Sequence, residues 1–326
     1  MELKNEFSYG GWTIKYALLE PSLSSANRSI TAPIVFVHGT PWSSVTFGPV
    51  AEALRTQTSS QILLYDMPGY GESQAYQVQQ NDPKDGLFKG DTSVRFQAEA
   101  LVALLDYLHL DGKSSNSRPH LIAHDIAGSI VLRAHLLLDC QFQSLLLMDT
   151  NCVLPWGDGF YKLVRSQPEV FQNLPPHTFE AMLRATIRSA CHDPEKLKGG
   201  GWEDKLAAPW LPTSSSSTSS DTEDISASER QSSFVRQIAQ ANDKDVAEME
   251  NDNLYESVRC PVKILWGEQD QWIPRQKMEK LGDMLRDGGK LREFVVVPEA
   301  GHLLMVDQPE RVAMEVLGWL WKQSMK

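Results

Sequence analysis

The sequence predicts an α/β fold: a mainly parallel β-sheet flanked by helices and interrupted by an inserted helical domain. Three observations carry this expectation. Short apolar runs bounded by turn residues recur along the chain, segments of helical periodicity lie between them, and the alternation fails between about residues 152 and 257. At 326 residues, with 41% hydrophobic and 22% charged residues, the chain has the composition of an ordinary globular protein large enough for one domain carrying an insertion.

The elements follow in order. Residues 9–14 and 16–19 alternate apolar and polar and are expected to form an antiparallel edge. Runs 34–37, 62–65, 120–123, 145–148, 262–266 and 294–297 are continuously apolar or nearly so, as strands covered on both faces are. Helices are expected over 94–108, 126–138, 276–286 and 310–322. The core therefore divides into 1–151 and 258–326, and 152–257 forms a helical cap with helices near 178–190 and 234–242. Within the cap, a serine-rich low-complexity stretch of about 212–233 has too few apolar groups to offset the entropy of ordering it and is expected to be a disordered surface loop.

Charge and cysteine usage narrow the function. Lys+Arg number 31 against 42 Asp+Glu, a net charge of −11 that repels phosphate backbones and anionic headgroups, so neither nucleic acid nor membrane is expected as a partner. The four cysteines, Cys140, Cys152, Cys191 and Cys260, contain no Cys-x-x-Cys pair, which offers no zinc ribbon or redox motif and fits a reduced compartment. The first residues lack the apolar core of a signal peptide, and the most apolar stretches are interrupted by Asp106, His109, Arg133 and His135. A cytoplasmic enzyme, monomer or homodimer, without cofactor or metal is the expectation.

The chemistry centres on His120-Leu-Ile-Ala-His-Asp-Ile-Ala-Gly-Ser129. Small residues Ala123, Ala127 and Gly128 bracket Asp125 between a strand and a helix, the pattern of a nucleophile elbow. A carboxylate at the centre is ionised at neutral pH and can attack a saturated carbon without a base to activate it. Downstream, Lys263-Ile-Leu-Trp-Gly-Glu-Gln-Asp270 places an acid after one strand, and Pro298-Glu-Ala-Gly-His302 places a histidine after the next. The order Asp125, Asp270, His302 is nucleophile, acid, base. Asp149, at the end of run 145–148, is the alternative acid. His109, His120, His135, His177 and His192 receive no role, and His124 is expected to face away from the site. In Val37-His-Gly-Thr-Pro-Trp42 the backbone N–H of Thr40 can join that of Ile126 to form an oxyanion hole. The Gly/Pro loop Asp66-Met-Pro-Gly-Tyr-Gly-Glu-Ser73 is read as scaffold. Trp42, Trp156, Phe160 and Tyr161 are expected to line an apolar pocket, and the substrate is accordingly a small apolar molecule.

Together, His38-Gly-Thr-Pro41, Asp66-Met-Pro-Gly-Tyr-Gly71, Ala123-His-Asp-Ile-Ala-Gly128, Gly267-Glu-Gln-Asp270 and Gly301-His302 resemble the α/β-hydrolase-fold enzymes of the epoxide hydrolase and haloalkane dehalogenase group, over nearly the whole chain. The resemblance implies an α/β-hydrolase fold, a cap inserted after the sixth strand and a substrate cavity between cap and core. It also shows departures. Dehalogenases of this group hold halide with a tryptophan after the nucleophile and an Asn or Trp in the His-Gly loop, where this chain has Ile126 and Thr40, and fluoroacetate dehalogenase relatives place an arginine where Ile126 stands. Epoxide hydrolases bring two cap tyrosines to the epoxide oxygen, and the cap here offers Tyr161 and Tyr255. The expected activity is that of an epoxide hydrolase-like enzyme working through a covalent ester. The alternatives are haloalkane dehalogenation and, in another class, a non-hydrolytic lyase or cyclase using Asp125 and His302 as base and acid.

Overall fold

A computed structural model describes residues 2–22, 30–80, 82, 86–113, 118–157, 159–212 and 226–325. Eight strands form one sheet: β1 (Asn5–Tyr9), β2 (Trp12–Leu19), β3 (Ile34–Val37), β4 (Ile62–Tyr65), β5 (His120–His124), β6 (Ser144–Met148), β7 (Val262–Gly267) and β8 (Leu291–Val297). Their spatial order is β1-β2-β4-β3-β5-β6-β7-β8. The β1–β2 and β2–β4 pairs are antiparallel and all later pairs parallel. Every residue of β3 to β7 is buried, which is why these strands are apolar without a break in period. The six apolar runs thus fall on six strands. The early edge differs from expectation. The turn lies at Gly10 and Gly11, both at positive φ, so Thr13 and Ile14 belong to the second strand.

Helices α1 (Gly48–Gln57), α2 (Val94–Tyr107) and α3 (Ile126–Leu136) follow β3, β4 and β5. Between β6 and β7 the described residues hold α4 (Gly159–Ser166), α5 (Pro168–Gln172), α6 (Pro176–Ser189), α7 (Pro194–Gly199), α8 (Trp202–Ala207), α9 (Ala227–Gln240) and α10 (Asp243–Glu250). The chain closes with α11 (Arg275–Asp287), α12 (Leu304–Asp307) and α13 (Pro309–Ser324). None of the helices among the described residues is long and apolar enough to cross a membrane.

The α4–α10 insertion is fastened to the core by polar contacts. The Trp210 indole donates to the Pro41 carbonyl at 3.0 Å, Ser233 Oγ to the Gly69 carbonyl at 2.9 Å, and Arg133 of α3 pairs with Glu248 of α10 at 2.6 Å. The expected serine-rich loop needs correction at its end. Residues 213–225 lie outside the described residues, but 226–233 are the cap and first turns of α9. Ser226 accepts from the Glu229 N–H while Glu229 accepts from Ser226, a reciprocal box that satisfies N–H groups a helix start leaves without partners.

Candidate active site

Strand β5 ends at His124 and α3 begins at Ile126, and Asp125 between them is held at φ 54°, ψ −123°. A non-glycine residue in that region is strained and persists only where its surroundings hold it. Close packing does so here. A Cβ on Gly39 would stand 2.6 Å from Asp125 Cβ, and one on Gly128 would stand 2.5 Å from Thr150 Cβ. Only glycine permits both approaches, which is why the elbow carries small residues on either side.

The Asp125 carboxylate is 6% exposed. Its Oδ2 accepts the Thr40 N–H at 2.9 Å, and the Ile126 N–H also bonds the carboxylate. The Thr40 hydroxyl bonds Tyr70 Oη at 2.7 Å, fixing the residue that presents this N–H. Burial pushes the Asp125 carboxyl above the usual range, and His302 together with the two N–H groups pulls it back. The second oxygen, Oδ1, lies 3.9 Å from His302 Nε2.

His302 follows β8 and is fully buried. Its Nδ1 meets Asp270 Oδ2 at 3.1 Å, and Asp270 Oδ1 in turn accepts the N–H groups of Trp272 at 2.7 Å and Ile273 at 3.1 Å. The Trp272 ring stacks on the imidazole, with centroids 4.7 Å apart and 25° between the planes. One residue thus braces the acid through its backbone and the base through its ring. The His302 tautomer follows from its acid partner: with Nδ1 donating to the carboxylate, Nε2 presents its lone pair towards Asp125.

Asp149 lies apart from this line. Its Oδ1 accepts the Gly267 N–H at 2.8 Å, while Oδ2 is buried with no hydrogen-bond partner. Burial, with the Asp270 charge adding to it, holds this carboxyl well above the ordinary carboxylate range. The acid bonded to His302 is therefore Asp270, and the alternative acid is a buried carboxyl bonded to the Gly267 N–H.

His124 is buried beneath the base. Its Nε2 donates to the His302 carbonyl at 2.8 Å, and burial keeps it neutral. His124, Asp149 and His302 bring possible metal-binding atoms within 4.8 Å of one another. Of these groups, His124 Nε2 and His302 Nδ1 serve the hydrogen bonds just described. His177 is exposed on α6.

A narrow cleft between core and cap opens on Asp125, with about 480 Å3 of empty space, part of it continuous with solvent. Trp156, Tyr161, Trp272, Ile126, Ile238 and Ala241 form most of its wall. Two residues the sequence reading did not single out, Asn151 and Arg165, add polar groups to it.

The model of the alpha/beta hydrolase family matches residues 34–316 of the chain. The chain belongs to this family. Among solved structures, an alpha/beta hydrolase fold protein from Burkholderia ambifaria is 29% identical, with 98% of each chain covered and a TM-score of 0.76. A thermophilic esterase from Thermogutta terrifontis is 20% identical, covering 96% of this chain and 94% of its own, at a TM-score of 0.67. A protein described as an ancestral haloalkane dehalogenase is 15% identical, covering 99% and 100%, at 0.70. At such identity the last two show the shared fold alone. No curated protein matches the chain.

Within this alpha/beta hydrolase, the expected pocket residues divide. Trp156 and Tyr161 line the cleft. Trp42 does not: it is 1% exposed and stacks on Trp272 at 5.7 Å, a layer behind the wall. Phe160 instead borders a separate depression across the Tyr161 and Trp272 rings, and it packs edge-on against Phe171 at 6.0 Å. Adjacent positions on a helix point about 100° apart, so Phe160 and Tyr161 cannot both face the same cleft squarely. Tyr255 is fully buried with its hydroxyl donating to the Cys152 carbonyl at 2.7 Å, which leaves Tyr161 as the cap phenol at the cleft.

Proposed function

We propose that this alpha/beta hydrolase opens an electrophilic carbon, most readily that of an epoxide, by covalent catalysis through Asp125. The observation that carries the reading is the asymmetry of the Asp125 carboxylate: Oδ2 is held by the Thr40 N–H, while Oδ1 lies on the His302 side. Oδ1 attacks the epoxide carbon, the carbon–oxygen bond breaks, and Tyr161 donates its proton to the departing oxygen. The ester carbonyl oxygen is then Oδ2, already in the oxyanion hole. His302, oriented by Asp270, takes a proton from water, and the hydroxide adds to the ester carbonyl carbon while the Thr40 and Ile126 N–H groups hold the developing charge. Collapse expels the diol alkoxide, which takes the proton from His302, and the Asp125 carboxylic acid so formed gives its proton to the Tyr161 phenolate, so the diol leaves and all three groups are reset. No cofactor takes part.

The leaving-group side favours the epoxide over a halide. Trp156 gives its indole N–H to the Asn151 carbonyl at 2.7 Å and Trp272 gives its own to Ser189 Oγ at 3.1 Å, so the indoles lining the cleft are committed elsewhere. Tyr161 lines the cleft and its hydroxyl donates to the Thr40 carbonyl at 3.4 Å, a longer bond than either indole makes. The test is a single turnover in 18O-labelled water. The oxygen in the first product comes from Asp125, so that product is unlabelled and the label appears in the Asp125 carboxylate. Label in the first product indicates direct attack by water, and a product without added oxygen indicates a lyase or cyclase.

A further inference from the structure

An arginine, Arg165, lines the cleft although the protein carries a net charge of −11. Arg165 lies one helical turn after Tyr161 on α4, and both line the cleft. Its guanidinium crosses the wall: Nη2 donates to the Trp156 carbonyl at 2.7 Å, and Nη1 donates to the Ala241 carbonyl at 3.1 Å and approaches Asp243 Oδ1 at 3.4 Å. Those contacts use three of five N–H donors, and among the described residues the ion pair of Arg165 is with Asp243, which is half exposed. On the segment just before Trp156, Lys277 Nζ donates to the Pro155 carbonyl. The charged groups acting on Lys277 are Lys162, Lys280, Asp243 and Glu250, with burial and Lys162 pushing its ammonium down. Glu250 is itself engaged by Lys280 at 2.5 Å and by the Leu154 N–H at 2.8 Å. Among the described residues that line the cleft, Arg165 is the cation and Asp125 the carboxylate.

We propose that the substrate is an amphipathic anion, a carboxylate-bearing electrophile whose charged end is held by Arg165 while its apolar stem lies along Trp156 and Ile238 and its reactive carbon reaches Asp125. The proposal rests on the cleft being the substrate site of the hydrolase reading, and it departs from the expectation of an apolar substrate. The opposite charges at the two ends also set a single orientation: Asp125 repels the carboxylate that Arg165 attracts.

Binding of two unreactive probes of equal length, hexanoate and hexanamide, separates this inference from the chemistry of Asp125. Tryptophan fluorescence reports their binding to the intact protein, because Trp156 and Trp272 line the cleft. Hexanoate is expected to bind at least tenfold tighter than hexanamide, and to lose that advantage as salt rises from 50 to 500 mM, roughly as screening of a partly exposed charge requires. Arg165→Gln brings the two probes to within about twofold, while Arg165→Lys, which keeps the charge, retains a preference for hexanoate and guards against a folding defect. The Lys162→Gln and Lys277→Gln pair weakens the salt dependence without touching Arg165. Equal binding of the probes by the wild type, or an unchanged ratio in folded Arg165→Gln, overturns the proposal. Preference for hexanoate in a protein that forms no Asp125 ester leaves the anion site standing and removes the covalent mechanism.

Discussion

Asp270 and Asp149 show how two carboxyls only a few side chains apart acquire opposite tasks. Asp270 has every oxygen engaged, one by His302 and one by two backbone N–H groups, so its negative charge is held where the imidazole needs it. Asp270→Asn is expected to lower kcat by about 100- to 10,000-fold, because an amide at this position disfavours the required tautomer. Asp149→Asn keeps an oxygen for the Gly267 N–H and is expected to leave kcat within a few-fold. Its effect on stability has a definite sign. A carboxyl whose folded pKa is raised binds its proton more tightly in the folded state, so the wild type loses stability as pH climbs from the ordinary carboxylate value to the raised one. The Asn variant lacks this loss, so urea unfolding should find its stability relative to the wild type rising as pH climbs from 4 to 8. Tyr161→Phe removes the proton donor of the opening step and should lower kcat/KM for an epoxide by about 100-fold or more. Hydrolysis of the preformed ester should be unchanged, a split that rapid-quench kinetics resolves.

At the scale of elements, α9 links a surface feature to the cleft. It starts at the Ser226–Glu229 box and carries Ile238 and Ala241 in the cleft wall. Ser226→Ala should cost about 1 kcal/mol in urea unfolding and leave kcat nearly unchanged, since the cap is far along the helix from those two residues. The start of this helix was legible, because Ser226 followed by Glu229 is itself a capping signature, yet the serine-rich composition before it concealed the boundary. Strands β3 to β7 were legible for a firmer reason: burial on both faces enforces continuous apolar runs that polar turns interrupt. The order of Asp125, Asp270 and His302 was legible because each sits at the end of such a strand. Arg165 was not. Nothing in its neighbourhood distinguishes it from a solvated arginine, and it reaches the cleft only through the packing of α4 over the core. Trp42 failed in the converse way, since an aromatic residue beside the Thr40 loop is equally suited to the wall or to the layer behind it.

For the molecule as a whole, the sheet brings Asp125, Asp270 and His302 together from three separated parts of the sequence, and residues of the α4–α10 insertion line the cleft that opens on Asp125. Burial of Asp125 has a consequence for the pH profile. The attacking group must be ionised, and desolvation raises its carboxyl above the ordinary range. Consequently kcat/KM should fall as pH drops through that raised value, with a midpoint above that of an ordinary aspartate, and single-turnover kinetics across pH 3 to 8 would show it. The central claim, a covalent ester on Asp125, is tested most directly by the intact mass of the His302→Gln variant after incubation with a panel of epoxides and haloalkanes. Removing the base blocks the second step and leaves Asp125 reactive. A gain equal to the whole mass of an epoxide, mapped to Asp125 and absent from the Asp125→Asn, His302→Gln double variant, is the predicted result. A gain short by HX would assign dehalogenation, and a folded variant that acquires no mass from any member of the panel would contradict the account.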